Sequence, residues 1–459
     1  GGAIYQDTGT LDFTGGWTLR SNTAGGNGGA VAVAATADAH FTAGVYSLVY
    51  DNRANGGDGG AFYLGNDRTM ALYATSGRQL YIYANIAQTN GGALYADSGG
   101  LFDIHGQVNF DHNWALGGHG GAIYLGNGSR VWLDDDATLR PALWDNRAAN
   151  GHGGAIYAVD SPRVELDSAI VGRPGEGNLA MAGSGGGIYL SGSTFDAENC
   201  TFEENRAAQH GGAIAAHTSS VTLHANMVPV LAAQEAHGPA AVSATECDPA
   251  TRQCSAVVGN MADSDANSTG DGGGIYASDS TLTVDHTYLH RNQAYTGGAI
   301  YQSGAGAVSQ INNSLIYRNI VSLAFGAGIR ATGGALTVHH STFANNLGGA
   351  AVSQSGTSTS VLNSIAWANA SGFWGTFADS GCNIDQSGNV GLALDPRFVD
   401  PGAGDNYHLR IGSPAIDACA TGLPLDLDGV TRPAGEGYDM GAFEFMVRRV
   451  CLPLVLRAQ

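Results

Sequence analysis

The chain is written in short runs that alternate apolar and polar residues. Ser280-Thr281-Leu282-Thr283-Val284-Asp285 is one of many. A period of two predicts a half-buried strand, with one side of the run inward and the other in water. No segment sustains a 3.6-residue period, so helices are not expected. Each run ends at Gly or Asn, residues that tolerate the left-handed backbone angles of tight corners. Two or three short strands between such corners describe one coil of a solenoid.

The coil repeats. A Gly-Gly-Ala-Ile-Tyr motif starts at Gly1, Gly28, Gly59, Gly91, Gly120, Gly153, Gly185, Gly211, Gly272 and Gly297, and in weaker form at Gly326 and Gly348. The usual spacing of roughly 25–33 residues is that of solenoid repeats. The gap from Gly211 to Gly272 reads as a degenerate coil plus an insertion, at about 225–268. A second motif precedes most copies: a large apolar residue, two variable residues, then Asn. Phe110-Asp111-His112-Asn113 and Leu143-Trp144-Asp145-Asn146 are examples. Stacking equal corners about 4.8 Å apart predicts an amide ladder through Asn52, Asn113, Asn146, Asn205, Asn292 and Asn319. The Ile or Leu after Gly-Gly-Ala predicts one inward aliphatic stack, and the residue opening the Asn motif another. The fold class is therefore all-β, a right-handed single-stranded parallel β-helix. Propeller blades need about 40 residues and four longer strands, and helical repeats need Ala/Leu/Glu/Lys runs absent here. The organisation expected is repeats over 1–375, a C-terminal module over 376–446 and an apolar tail over 447–459.

Composition narrows the partners. All twenty basic residues are Arg, against 40 acids, for a net charge of −20. Such a chain repels phosphate backbones and anionic bilayers, so nucleic acid is a poor partner, and no stretch is long enough for a membrane span. Gly1 already lies inside a motif, which points to a processed or truncated end. The six Cys fit an oxidising, extracellular compartment. Cys247 with Cys254 and Cys382 with Cys419 are the candidate disulfides, and Cys200 reads as a buried thiol.

The paired motifs resemble the repeats of the polymorphic outer-membrane protein (adhesin) family, over roughly residues 1–370. That resemblance implies a secreted, cell-surface β-helix in adhesion or self-assembly. This chain has no room for the membrane β-barrel in which that family's proteins end. Residues 390–446 are similar to the end of bacterial secreted β-helix proteins of the choice-of-anchor Q type. The similarity is carried by Asp395-Pro396-Arg397-Phe398, Gly412-Ser413-Pro414-Ala415-Ile416-Asp417 and Tyr438-Asp439-Met440-Gly441-Ala442-Phe443-Glu444. It implies a module that finishes the solenoid before a surface-attachment element.

Three sets of residues carry candidate chemistry. The position before each Gly-Gly reads Asn27, Asp58, Asn90, His119, His152, Ser184, His210, Asp271 and Thr296. His119 and His152 fall on adjacent coils, near enough to share a metal, but no third ligand is evident and a polar corner column explains them as well. The position after the inward Ile is mostly Tyr, and Tyr95, Tyr124, Tyr157 and Tyr189 form an outward strip. Such a strip stabilises a sheet by cross-strand contact and could also meet sugar rings or a protein. Asp134 and Asp136 would share one strand face, as a glycosidase pair might, though an exposed acidic patch explains them too. Lyase chemistry would need a base, typically Arg or Lys beside calcium-binding acids; no Lys exists, and no Arg is placed convincingly among acids. In the C-terminal module, Asp417, Arg432, Asp439 and Glu444 read as a buried ionic cluster.

The sequence therefore points to a non-enzymatic extracellular structural or adhesive protein without a cofactor. Its expected partners are copies of itself and cell-surface glycans. Val450, Leu452, Leu454 and Leu456 would form a tail strand that pairs end to end with another copy, giving a filament. A polysaccharide lyase or glycoside hydrolase, and a non-catalytic carbohydrate-binding protein, are the alternatives.

Overall fold

A computed structural model describes residues 1–44, 46–74, 77–135, 140–227, 254–379 and 382–446. They form a right-handed parallel β-solenoid of about 11 turns without helices. The coil that begins at Gly120 shows the plan. After the Gly-Gly corner comes Ile123–Leu125, the first face, and a turn at Ser129 leads to the second face, Arg130–Asp134. The chain then crosses to the third face, Ala142–Trp144, and rounds an Asn146 corner. A two-residue strand, Arg147–Ala148, returns it to the next Gly-Gly. The third face stacks 13 strands in one parallel sheet.

The register is one motif position per column. Ile123 pairs with Ile156, Ile156 with Ile188, and Ile188 with Ile214. These side chains are fully buried, and so are Phe110, Leu143 and Phe202, which line the third face from inside. Each buried side chain of this size stabilises the fold by about 1.5–3 kcal/mol. The Gly-Gly corner needs glycine twice. Gly120 has a φ of 67°, and a Cβ on it would stand 2.2 Å from the Ile123 carbonyl oxygen. A Cβ on Gly121 would stand 2.0 Å from the carbonyl oxygen of Gly154, one coil on.

The gap from Gly211 to Gly272 holds one coil with extra chain, but the insertion expected at 225–268 is too long, because Ser255–Val258 is that coil's third-face strand. Ile214–His217 pairs directly with Ile275–Ser278, and Thr201–Glu203 pairs with Ser255–Val258. The extra chain therefore leaves this coil between its second and third faces. Cys247 lies outside the described residues, while Cys254 is disulfide-bonded. Asp136 and the tail residues Val450, Leu452, Leu454 and Leu456 also lie outside them.

Residues up to Leu392 complete the last coil, where Ile384 bridges to Leu392. Beyond it, the chain turns back along the outside of the third face. Tyr407, Leu427, Met440 and Phe443 pack against Tyr288, Leu315, Tyr317 and Ile365 of several coils. Asp405, 1% exposed, receives Arg318 at 2.5 Å and Arg291 at 3.6 Å from two successive corners. Arg432 pairs with Glu444 at 3.2 Å and donates to Asn313 Oδ1 at 2.7 Å. Asp439 accepts the backbone N–H of Asp417 at 2.7 Å. A disulfide joins Cys382 to Cys419. Cys200 is a buried free thiol whose pKa burial pushes up to about 12.

Candidate functional site

Every coil contributes one residue to each corner column, so the columns are where chemistry could accumulate. The asparagine column is spent on structure. Asn113 Nδ2 donates to Asn146 Oδ1 at 2.9 Å and to the Ile82 carbonyl at 2.9 Å. Its backbone N–H donates to the same Asn146 Oδ1 at 3.1 Å. Asn146 repeats the pattern onto Asn178, Asn205 onto Asn260, and Asn292 onto Asn319. Each amide thus uses both of its protons and both of its acceptor sites inside a buried column. Asn52 joins through Asn85, and Asn319 continues into Asn346 and Asn369.

Six ladder members were not singled out from sequence: Asn22, Asn85, Asn178, Asn260, Asn346 and Asn369. All but Asn178 carry the same signal, an apolar residue three positions earlier, as in Val257-Val258-Gly259-Asn260. The corner angle is also a correction to the sequence reading. The left-handed residue is not the asparagine but the one before it: Asp51, His112, Asp145, Glu204, Arg291 and Arg318 have φ between 48° and 57°. The amide's partners lie along the stack, and holding it there puts the turn on its predecessor. An L-residue in that region costs about 1–2 kcal/mol, which the ladder bonds offset.

The column before Gly-Gly is a second ladder, of mixed residues. His119 donates its backbone N–H to Asn90 Oδ1 at 2.9 Å, and His119 Nδ1 accepts the N–H of His152 at 3.0 Å. His152 Nδ1 accepts the N–H of Ser184 at 2.9 Å, and His210 Nδ1 that of Asp271 at 3.1 Å. Accepting at Nδ1 places the ring proton on Nε2 and keeps the imidazole neutral. Burial lowers the pKa of His119 and His210, and burial, with His119 and His217 nearby, lowers that of His152 to about 4. The two rings suggested as metal ligands, His119 and His152, stack at 5.3 Å with an interplanar angle of 10°. One nitrogen of each is committed to the next coil's backbone. Among the described residues, no three His, Cys, Asp or Glu side chains gather as a metal site.

Beside this column runs the tyrosine strip. Tyr63, Tyr95, Tyr124, Tyr157 and Tyr189 stack in succession at 4.8–5.5 Å with planes within 11° of parallel. His119 lies 4.4 Å from Tyr157, and His152 lies 4.5 Å from Tyr189. At the next coil Ala215 replaces Tyr, and His217 fills the interval at 5.4 Å from both Tyr189 and Tyr276. The ring faces are therefore spent on each other, and what the half-buried strip offers solvent is ring edges and hydroxyls. Burial raises the phenol pKa values, to about 12 for Tyr157 and Tyr63.

The architecture and the repeats together place the chain among known proteins. Residues 250–390 match the family described as right handed beta helix region. Residues 199–217 match the Chlamydia polymorphic membrane protein repeat. That short match starts in the turn at Asn199, follows the third face through Phe202, rounds the Asn205 corner and ends at His217 on the first face. The two matches support a β-helix repeat protein whose repeats are similar to those of polymorphic membrane proteins. No curated protein and no solved structure matches it.

On this β-helix repeat protein the second face carries a carboxylate cluster that sequence reading met only through Asp134. His105 Nε2 lies 2.8 Å from Asp103, and its Nδ1 bonds Asp134 of the next coil. Tyr73 donates to Asp103 Oδ2 at 2.8 Å. Burial raises the Asp134 pKa, and His105 pulls it back. One imidazole thus binds both carboxylates, which ties neighbouring coils together. Alternation along Leu101–Gly106 puts Asp103 and His105 on one side, a signal visible in sequence.

Proposed function

We propose that this polymorphic-membrane-protein-like chain is a non-catalytic, extracellular surface adhesin whose tyrosine–histidine corner is the contact strip. The repeat and the fold fit a surface adhesin-like β-helix protein. The observation that carries the choice of strip is the unbroken run from Tyr63 to Tyr189. It sets equivalent hydroxyls about one coil spacing apart on a rigid scaffold. A rigid, regularly spaced row of amphipathic groups binds a partner surface at low cost in conformational entropy. Its stacked faces disfavour the stacking of sugar rings on tyrosine and favour hydrogen bonding along the edges. The carboxylates of the second face are held on His105, so no reaction is assigned to them. The filament expectation rested on tail residues outside the described set and is left aside.

Replacing Tyr124, Tyr157 and Tyr189 together by Phe keeps the stack and removes only the hydroxyls. Binding of the purified protein to immobilised cell surfaces should fall by about tenfold or more, with the thermal midpoint little changed. Unaltered binding would remove the strip from the contact surface.

A further inference from the structure

The third face is covered by the C-terminal module over its later coils, while its earlier coils hold a cleft of about 410 Å³. Its origin lies in one outward column. Tyr81, Asn109, Ala142 and Ile170 are register partners on four successive coils. Small residues in the middle of that column, between Tyr81 and Ile170, leave a notch. The flanking columns wall it with Gln107 and Arg140 on one side and Trp144 and Arg173 on the other.

Three polar groups of this notch are unspent, and a fourth, the Asn109 amide, faces outward on a residue only 3% exposed. Gln107 Oε1 and the Nε1–H of Trp144, itself 7% exposed, are buried without a partner. Unsatisfied buried groups of this kind cost about 1–3 kcal/mol each and are uncommon unless something fills them. Arg140 is fixed through Nη2 on the carbonyls of Ala169 at 3.3 Å and Asn199 at 2.8 Å, and through Nε on Ser168. Its Nη1 bonds no described residue. Arg173 stands 4.1 Å over the Trp144 ring and pairs with Glu176. Among the described residues, no carboxylate lines the cleft, in a chain with twice as many acids as Arg.

We propose that this cleft binds a carboxylated sugar, one uronic-acid unit of an acidic polysaccharide. The Arg140 and Arg173 guanidiniums take the carboxylate. The Asn109 and Gln107 amides take ring hydroxyls, and the Tyr81 ring covers the apolar face of the pyranose. The site is separate from the tyrosine–histidine corner and does not depend on that strip being adhesive.

Titration calorimetry on the full chain tests it, with trigalacturonic acid, its methyl ester and a neutral galactose trimer as probes. The acid should bind, and the ester and the neutral trimer at least about tenfold more weakly. Arg173→Gln and Asn109→Ala should each weaken the acid by about tenfold, whereas Arg163→Gln, on the second face, leaves it unchanged. Arg173 is exposed, so its variant carries the test even if Asn109→Ala lowers the melting temperature. The triple Tyr→Phe strip variant should bind trigalacturonate as the parent does, which separates the two sites. Equal affinity for acid and ester, or no heat with any probe, would overturn the assignment, as would full affinity in Arg173→Gln.

Discussion

At the residue scale, the fold is held by side chains whose polar atoms point along the stack rather than across it. Asn146 receives two donors from Asn113 and gives its own protons to Phe110 and Asn178. Asn146→Ala leaves several of these buried groups unpaired and should lower stability by about 3 kcal/mol, measured as a shift in chemical denaturation. The neutral histidines set the acid response. The folded pKa is lowered to about 4 for His152 and about 3 for His290, in both cases first by burial. Both lie below the ordinary 6.5 of an unfolded chain. Their contribution is therefore present above pH 6.5 and is lost as pH falls towards 4. Asp439 behaves oppositely. Burial raises its pKa to about 7, so its contribution is present in acid and is lost as pH rises through 7. Hydrogen exchange between pH 7.5 and 5 should show the coils around His152 and His290 loosening while the segment around Asp439 tightens.

At the element scale, much was legible and some was not. Alternation in Thr281–Asp285 and the spacing of Gly-Gly-Ala gave strand, corner and register, because each coil must bury the same few positions. The ladder was legible through Phe110-x-x-Asn113, and Asn85 and Asn260 needed only a looser apolar residue. Asn178 was not legible, since the Arg173–Gly177 loop separates it from its strand at Val171. Nor could sequence show that the later segment lies along the third face. That depends on pairs far apart in the chain, such as Arg318 with Asp405 and Arg432 with Asn313. The notch at Asn109 was equally hidden, because it exists only once four coils are set side by side. The Cys382–Cys419 bond closes a loop of 37 residues, worth about 4 kcal/mol in chain entropy. Reduction should expose the segment from 395 to 446 to limited proteolysis while the coils stay resistant, because that bond ties the segment to the last coil and the coils themselves are held by strand pairing.

At the scale of the whole molecule, the surface divides by face. The third face is covered by the C-terminal module at one end and notched at the other. The first-face corner carries aromatic edges, and the second face carries the Asp103–His105–Asp134 cluster. That division follows from stacking, since any residue type repeated at one motif position becomes a stripe along the rod. In-register stacking is thus the premise behind the ladder, the tyrosine strip and the notch.

Cysteine pairing measures it directly. Trp132 and Glu165 are register partners on adjacent coils, and Glu165 and Asp196 are the next pair. A disulfide needs Cα atoms roughly 4.4–6.8 Å apart, a span that adjacent coils satisfy and coils two apart, at about 9.6 Å, do not. Trp132→Cys with Glu165→Cys should oxidise to an internal disulfide, whereas Trp132→Cys with Asp196→Cys should stay reduced. Bonding in the second variant and not in the first would contradict the stacking.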